Sequence, residues 1–198
     1  MAYSNKYTNG NDYIMGSQGN DRLYGGGGND SLYGFLGKDW IDGGDGNDFI
    51  VAGDGDVIIG GRGKDIMIDN GVNVWDRDTF VFNLGDTGTT TETADVIMRF
   101  TQFDRIDVPQ IVVDGPHLGM VTTSIDSIED AVSFARLSDK LNGSHHNTAY
   151  LFSNIGQETS YLVMDMDGNG SYESGVVMTN SYSTTSANAQ GFLDAWLV

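Results

Sequence analysis

Cysteine is missing from this chain of 198 residues. Its absence excludes disulfides, thiolate nucleophiles and zinc held by thiolates. Basic side chains are also scarce, since 10 Lys and Arg face 28 Asp and Glu and leave a formal net charge of −18 at pH 7. A chain this acidic is not expected to bind the phosphates of a nucleic acid.

Long apolar segments are absent as well. No run approaches the roughly 18 apolar residues that span a bilayer, and the first residues lack the apolar centre of a signal peptide. We therefore expect no membrane span, and any export must use a route without an N-terminal signal.

Glycine and aspartate are the residues in excess. The chain contains 28 glycines, and 24 of its acidic residues are Asp against 4 Glu. Both residue types favour turns over helices. At 39% apolar residues the chain can still bury a core, so disorder of the whole chain is disfavoured.

A repeat of nine residues organises the first third of the chain. Its aspartates recur at Asp12, Asp21, Asp30, Asp39 and Asp48. A block from Ala52 is one residue shorter, after which the equivalent acids are Asp56 and Asp65. Seven blocks cover residues 7–68, and an eighth with an enlarged loop is expected from Asp69 to Phe82. A fixed period of this kind is typical of stacked repeat architectures.

Each block combines a turn with a short strand. Six residues rich in Gly, Asn and Asp are followed by three residues with an apolar centre. Because strand side chains alternate, each centre should point inward, and so short a strand is stable only when other blocks stack on it. Glycines at the first, second and fourth loop positions allow positive φ and close backbone approach. The predicted inward residues are Ile14, Leu23, Leu32, Ile41, Ile50, Ile58 and Met67.

The pattern G-G-x-G-x-D-x-U-x resembles the calcium-binding nonapeptide of RTX (hemolysin-type) proteins, which is a known repeat signature. The resemblance implies an all-β fold that begins with a parallel β-roll, in which calcium lies between loops two blocks apart. Backbone carbonyls and Asp side chains would bind the ion. The ligand positions carried over are Asp12, Gly19, Asp21, Gly26, Gly28, Asp30, Gly37, Asp39, Gly44, Gly46, Asp48, Gly53, Gly55, Asp56, Gly61, Gly63 and Asp65.

Loops two blocks apart define the expected sites. They pair Asp12 with Asp30, Asp21 with Asp39, Asp30 with Asp48, Asp39 with Asp56, and Asp48 with Asp65. This predicts about five complete calcium sites, and about seven with the roll ends included. Oxygen ligands favour calcium over zinc. The alternative interpretation, solvated turns without metal, is hard to reconcile with seven copies in register.

The period ends near Asp86, where Thr, Val, Ile and Phe become frequent. We therefore predict two units, a roll over residues 1–85 and an antiparallel β cap over 86–198 with one or two short helices. Residues 78–82, 94–100 and 104–108 resemble the C-terminal domain of serralysin-type metalloproteases. A capping box at Ser127 predicts a helix that ends near Leu141. Residues 148–154, 159–165 and 172–179 predict an antiparallel meander.

Outward positions in the later blocks are apolar. We expect the C-terminal strands to pack on them and form a second core, and a partner-binding face is the alternative. The positions are Phe49, Val51, Val57, Ile59, Ile66 and Ile68.

A separate acidic turn contains Asp165, Asp167 and Asn169. Its spaced oxygens resemble the first half of an EF-hand loop, but Val176 stands where that motif has its closing acid. A plain hairpin turn and an additional calcium site both remain open.

Catalytic motifs are not apparent. Serralysin-type proteolysis needs a His-Glu-x-x-His helix, whereas the histidines here are His117, His145 and His146. We therefore expect no enzymatic activity. The last residues, 191–198, resemble the C-terminal signal of type I secretion, and a terminal helix from about residue 187 that docks on the cap is the alternative.

These observations predict a secreted, extracellular calcium-binding module that folds on calcium after type I secretion. Its expected partners are calcium ions and a type I secretion apparatus. The alternatives are a self-standing adhesive or surface-layer type protein, and the C-terminal fragment of a secreted serralysin-like hydrolase.

Overall fold

The computed structural model describes residues 8–73, 77–101, 103–109, 119–121, 125–142, 149–153 and 159–179. The proposed secretion signal at 191–198 and the three histidines lie outside these residues. In the described part of the chain, no helix has the length and apolar character needed to cross a membrane.

The repeats fold into two sheets of parallel strands, as the alternation of loop and short strand predicts. Every second strand joins the same sheet, so two consecutive blocks make one coil. One sheet receives β1 (Tyr13–Met15), β3 (Ser31–Tyr33), β5 (Phe49–Ala52), β7 (Ile66–Asp69) and β9 (Asp95–Met98). The other contains β2 (Arg22–Gly27), β4 (Trp40–Asp45), β6 (Val57–Arg62), β8 (Thr79–Val81) and β10 (Arg105–Asp107).

Register between the coils places the block centres in two buried columns. Ile14 pairs with Leu32, Leu32 with Ile50, and Ile50 with Met67. Each of the seven predicted centres is at most 3% exposed, and burying one such side chain contributes about 1.5–3 kcal/mol. The parallel β-roll is therefore confirmed. The second column continues through Phe80 and Ile106, so the coils extend beyond the regular period.

The later strands lengthen one of the two sheets. The strands β11 (Gly119–Val121), β12 (Ala149–Ser153), β13 (Thr159–Met164) and β14 (Ser174–Thr179) complete a nine-stranded sheet. Here β12 with β13, and β13 with β14, are antiparallel, which confirms the predicted meander. Since β14 pairs in parallel with β9, the meander satisfies the open edge of the roll.

One α-helix, α1 (Ile128–Asn142), is present among the described residues and agrees with the predicted helix. Ser127 caps it, because its Oγ accepts the Asp130 N–H at 3.2 Å. The apolar face of α1, with Ile128, Ala131 and Ala135, packs on the meander and forms a second core with residues such as Phe152.

The prediction that C-terminal strands cover the outward face of the roll is wrong for the described strands. They join the sheet in its own plane, because the hydrogen-bonding edge of β9 takes β14. The second core instead lies between α1 and the meander. The outward side chains stay partly exposed, and Ile66 is 36% exposed.

Candidate metal centre

Two rows of aspartates run along the roll, one on each side. In each row, one carboxylate oxygen, Oδ1, accepts the main-chain N–H of the aspartate one coil earlier, at 2.7–3.1 Å. All five predicted Asp pairs are brought together in this way. The first row is Asp12, Asp30, Asp48, Asp65 and Asp95, and the second is Asp21, Asp39, Asp56, Asp78 and Asp104.

The second oxygen of these carboxylates, Oδ2, is the unusual one. In six of them it is buried and makes no hydrogen bond within the described part of the chain; these are Asp30, Asp39, Asp48, Asp65, Asp78 and Asp95. A buried carboxylate oxygen without a partner is costly unless a cation binds it. The rows therefore fit a metal ion better than a network of protein hydrogen bonds.

Glycines at the first loop position complete the cradle around these oxygens. A Cβ on Gly34 would lie 2.7 Å from Asp39 Oδ2 and 3.3 Å from Asp56 Oδ2. A Cβ on Gly16 would lie 2.5 Å from the Gly34 carbonyl oxygen and 3.0 Å from Asp21 Oδ2. Carbonyl and carboxylate oxygens thus converge on a space that no side chain can share, which is the donor set that calcium prefers.

The other two glycine positions serve the stacking of the loops. Positive φ occurs at Gly26, Gly28, Gly37, Gly44, Gly46, Gly55, Gly61 and Gly63. Next to them the backbone of the neighbouring coil is close, since a Cβ on Gly28 would lie 2.6 Å from the Gly10 carbonyl carbon. Phe35, which occupies the second loop position of its block, also has a positive φ, of 70°. Gly19 and Gly53 lack positive φ, and the Gly53 N–H donates to Asp56 Oδ2 at 2.7 Å.

Burial dominates the electrostatics of the rows. Burial and, to a smaller extent, neighbouring carboxylates raise the pKa of Asp39 and Asp48 to about 6 and the pKa of Asp65 to about 7. For Asp78 and Asp95, burial and nearby carboxylates raise the pKa to about 8 and about 9. The metal-free rows therefore resist full ionisation, and a divalent cation would offset their repulsion.

The N-terminal blocks differ from the rest. Thr8 Oγ1 donates to Asp12 Oδ2 at 2.6 Å, and Ser17 Oγ donates to Asp21 Oδ2 at 2.8 Å. These hydroxyls stand at loop positions where the repeat prefers glycine. They satisfy the oxygen that is left without a partner further along the rows, so the first coil is less suited to calcium.

The separate acidic turn forms a compact group of its own. One oxygen from each of Asp165, Asp167 and Glu173 lies within 4.8 Å of the others. Asn169 instead accepts the Ser171 N–H at 2.7 Å and donates its amide to Asp167 Oδ2 at 2.7 Å. Asp165 caps the turn by accepting the N–H groups of Gly168 and Gly170. The structure thus groups Glu173, and not the predicted Asn169, with Asp165 and Asp167 as the oxygens that could hold a cation.

The eighth block predicted up to Phe82 is present as β8, which pairs with β6, but the sequence analysis named no ligand aspartate of the roll beyond Asp65. Asp78 and Asp104 continue the second row and Asp95 continues the first, although the spacing between these residues in the sequence is irregular. A local signal does mark them, since each stands two residues before a buried apolar residue: Phe80, Ile97 and Ile106 respectively. The same relation joins aspartate and centre in every regular block.

Comparison with known proteins gives a family match over the repeats. Residues 7–37 and 33–67 match the RTX calcium-binding nonapeptide repeat, which is described as 4 copies. No curated protein matches the chain.

Two solved structures are similar to this chain. The AlgE6R3 subunit of the Azotobacter vinelandii mannuronan C5-epimerase has 19% identity and a TM-score of 0.45, covering 100% of this chain and 82% of its own. The AlgE6R2 subunit of the same epimerase has 21% identity and a TM-score of 0.36, covering 87% of this chain and 93% of its own.

Proposed function

We propose that this chain, whose residues 7–67 are RTX calcium-binding nonapeptide repeats, is an extracellular module that folds when it binds calcium after type I secretion and has no catalytic activity of its own. The observation that carries the proposal is the set of six buried Oδ2 atoms without a hydrogen-bond partner among the described residues. Repeats of this family bind calcium, and four of these oxygens, on Asp30, Asp39, Asp48 and Asp65, lie next to the first glycine of their own repeat loop.

The two oxygens of each row carboxylate and the glycine carbonyls have different roles in the proposed binding. The Oδ1 atoms hold the coils together by accepting main-chain N–H groups, and in six of the aspartates, Asp48 and Asp65 among them, this leaves Oδ2 available for the ion. Glycine carbonyls such as that of Gly34 supply further ligands from the coil beside it. Bound calcium supplies positive charge between coils that otherwise repel each other.

Charge explains why folding and binding should be one event. The formal net charge is −18, and about five calcium ions would reduce it to about −8. Without the ions, the rows would place like-charged carboxylates in direct succession along the roll. The metal-free chain is therefore expected to be largely unfolded.

A calcium titration followed by circular dichroism, together with sedimentation, tests this coupling. Calcium should produce β structure cooperatively and a chelator should reverse it. A chain with the full β spectrum in chelator at low salt would contradict the proposal.

Export by a type I route completes the proposal and rests on the sequence of residues 191–198 alone. Low calcium inside a cell would keep the chain unfolded and able to thread, whereas millimolar calcium outside would fold it. Deletion of residues 194–198 beside a type I transporter should abolish export and leave calcium-dependent folding intact. Undiminished export would rule out the signal.

An adhesive or surface-layer role is the second candidate, and an aromatic surface favours it. The rings of Tyr13 and Tyr33 have centroids 5.2 Å apart, and those of Tyr33 and Phe35 are 6.4 Å apart. Tyr13 is 67% exposed and Phe35 is 45% exposed. Exposed aromatic side chains of this kind are enriched at binding surfaces. Ordered assembly that appears only with calcium, measured by light scattering, would favour this role.

A further inference from the structure

The sheet face that α1 covers continues beyond the helix. Helix α1 packs on β13 and β14, and Val177 of β14 contacts the second core beneath it. Val177 pairs with Val96 of β9, Val96 pairs with Ile66 of β7, and Ile66 pairs with Phe49 of β5. Since paired residues of neighbouring strands point to the same face, this row of side chains runs from the second core out to β5.

A second row lies beside the first. In it Met98, Ile68 and Val51 pair in succession. On β5, β7 and β9 the two rows form an apolar strip without any polar or charged side chain, and the strip stops at β3, where Ser31 pairs with Phe49. A contiguous apolar surface with a polar border is typical of a docking site. The strip consists of Phe49, Val51, Ile66, Ile68, Val96 and Met98, which are all at least partly exposed.

The chain leaves the sheet next to this strip. Strand β14 ends at Thr179, whose Cα partner is Met98 of the strip. The next seven residues, 180–186, are Ser, Thr and Asn apart from Tyr182. When extended they reach about 23 Å, whereas β5 lies about 14 Å from β14 across three strand spacings. The residues that follow this polar linker can therefore reach every part of the strip.

Residues 187–198 have the composition of a segment that packs on an apolar surface. They lie outside the described part of the chain, but eight of the twelve are apolar and one is charged. Phe192, Leu193 and Trp196 stand three, four and seven positions after Ala189, which is the spacing of one helical face. A helix of twelve residues is about 18 Å long. It would span the strip, and it is too short to be stable in water without a surface to pack on.

We infer that residues 187–198 form a helix that packs on the apolar strip of the same folded chain. The face of the meander is already occupied by α1, so the strip is the part of this face that remains. A linker of seven residues gives the segment an effective concentration of millimolar order. A second copy has no such tether, and the net charge of −18 repels it. The inference concerns the folded chain and stands whether or not residues 191–198 also direct export.

Photo-cross-linking of the full chain tests the contact. The variant Phe192→p-benzoylphenylalanine, folded with calcium and irradiated, should form cross-links within one chain to β5, β7 or β9, which mass spectrometry of the peptides would locate. The matched control carries the same probe in place of Trp40, which is 37% exposed on β4 of the other sheet, and should not label the strip. Cross-links of the Phe192 probe to α1, to the meander or to a second chain would overturn the inference, as would the absence of any cross-link.

Urea melts in calcium give an independent test. Ile66→Ala, at the centre of the strip, should lower the urea midpoint, and so should the combined variant Phe192→Ala, Leu193→Ala and Trp196→Ala. Joining the two should lower it by less than the sum, because each removes the same contact. The control Leu137→Ala, at a side chain of α1 that is 52% exposed, should be additive with the combined variant. Additive shifts for Ile66→Ala would overturn the inference and leave calcium-dependent folding, and with it the proposed function, standing.

Discussion

Replacing Asp48 by Asn should change the stability of the roll in opposite directions with and without calcium. Asp48 is 2% exposed, and its Oδ1 accepts the Asp30 N–H at 2.7 Å. Its own N–H donates to Asp65 Oδ1 at 2.7 Å. The amide oxygen of Asn can keep the first bond. The substitution therefore removes the charge and one cation ligand while the hydrogen-bonded coil remains.

Without calcium, the substitution should stabilise the fold. Burial raises the pKa of Asp48 from 3.8 to about 6. At pH 7.5 the carboxyl is ionised in the folded state, and this lowers the free energy of unfolding. Since a difference of one in pKa corresponds to about 1.4 kcal/mol, the full effect is about 3 kcal/mol. Solvent screening near the loop surface reduces the expected gain to about 1–2 kcal/mol.

With calcium, the same substitution should destabilise the fold. It removes a charged ligand, and interactions with charged groups are worth about 1.5–3 kcal/mol. Because about five ions bind as the chain folds, this loss is divided among them, and the calcium concentration at the folding midpoint should rise about twofold to threefold.

Two titrations followed by circular dichroism separate the effects. One folds the chain with trimethylamine oxide in chelator, and the other folds it with calcium. Asp48→Asn should need less osmolyte in the first and more calcium in the second. The control Asp45→Asn, in the same loop and exposed, should move both midpoints only slightly. A shift of the same sign in both titrations would refute the reasoning.

Four further predictions follow from the same geometry. The folded-state pKa values of Asp65, Asp78 and Asp95 are raised to about 7, 8 and 9, so the metal-free fold binds more protons than the unfolded chain. The stability of the metal-free fold should therefore fall as pH rises from about 4 to about 9, which urea melts in chelator would show. The calcium affinity should rise over the same pH range, which calcium titrations would show. Gly34→Ala should cost bound calcium in equilibrium dialysis, since its Cβ would lie 2.7 Å from Asp39 Oδ2, whereas Gly19→Ala, with nothing within 4 Å, should not; equal ion counts in the two variants would contradict this. Asp39→Ala leaves the buried Asp21 N–H without its 2.8 Å acceptor and should cost about 1–3 kcal/mol in a urea melt with calcium, more than Asp12→Ala at the start of the other row. Asp165→Ala combined with Asp167→Ala should reduce the ion count by one if the acidic turn binds calcium, and an unchanged count would identify a plain turn.

The repeat made much of this protein predictable. A period of nine residues with an apolar centre determines which side chains point inward, because strand alternation and coil stacking leave one register that buries Leu32, Ile50 and Met67 together. The Asp pairs follow from the same register, since residues two blocks apart must lie side by side. Helix α1 could also be predicted from the sequence, because its N-cap and its apolar face are local signals.

Contacts between residues far apart in sequence were decided by the tertiary structure alone. The meander joins the edge of the roll at β9 and leaves the outward face partly exposed, because an open sheet edge offers hydrogen bonds that an apolar face does not. The division at residue 85 stays a prediction, although β7 and β9 pair across it. Asp69, Asp78 and Asp104 meet for a similar reason: irregular loops hide their spacing, and only the stacking of β8 and β10 brings the carboxylates together.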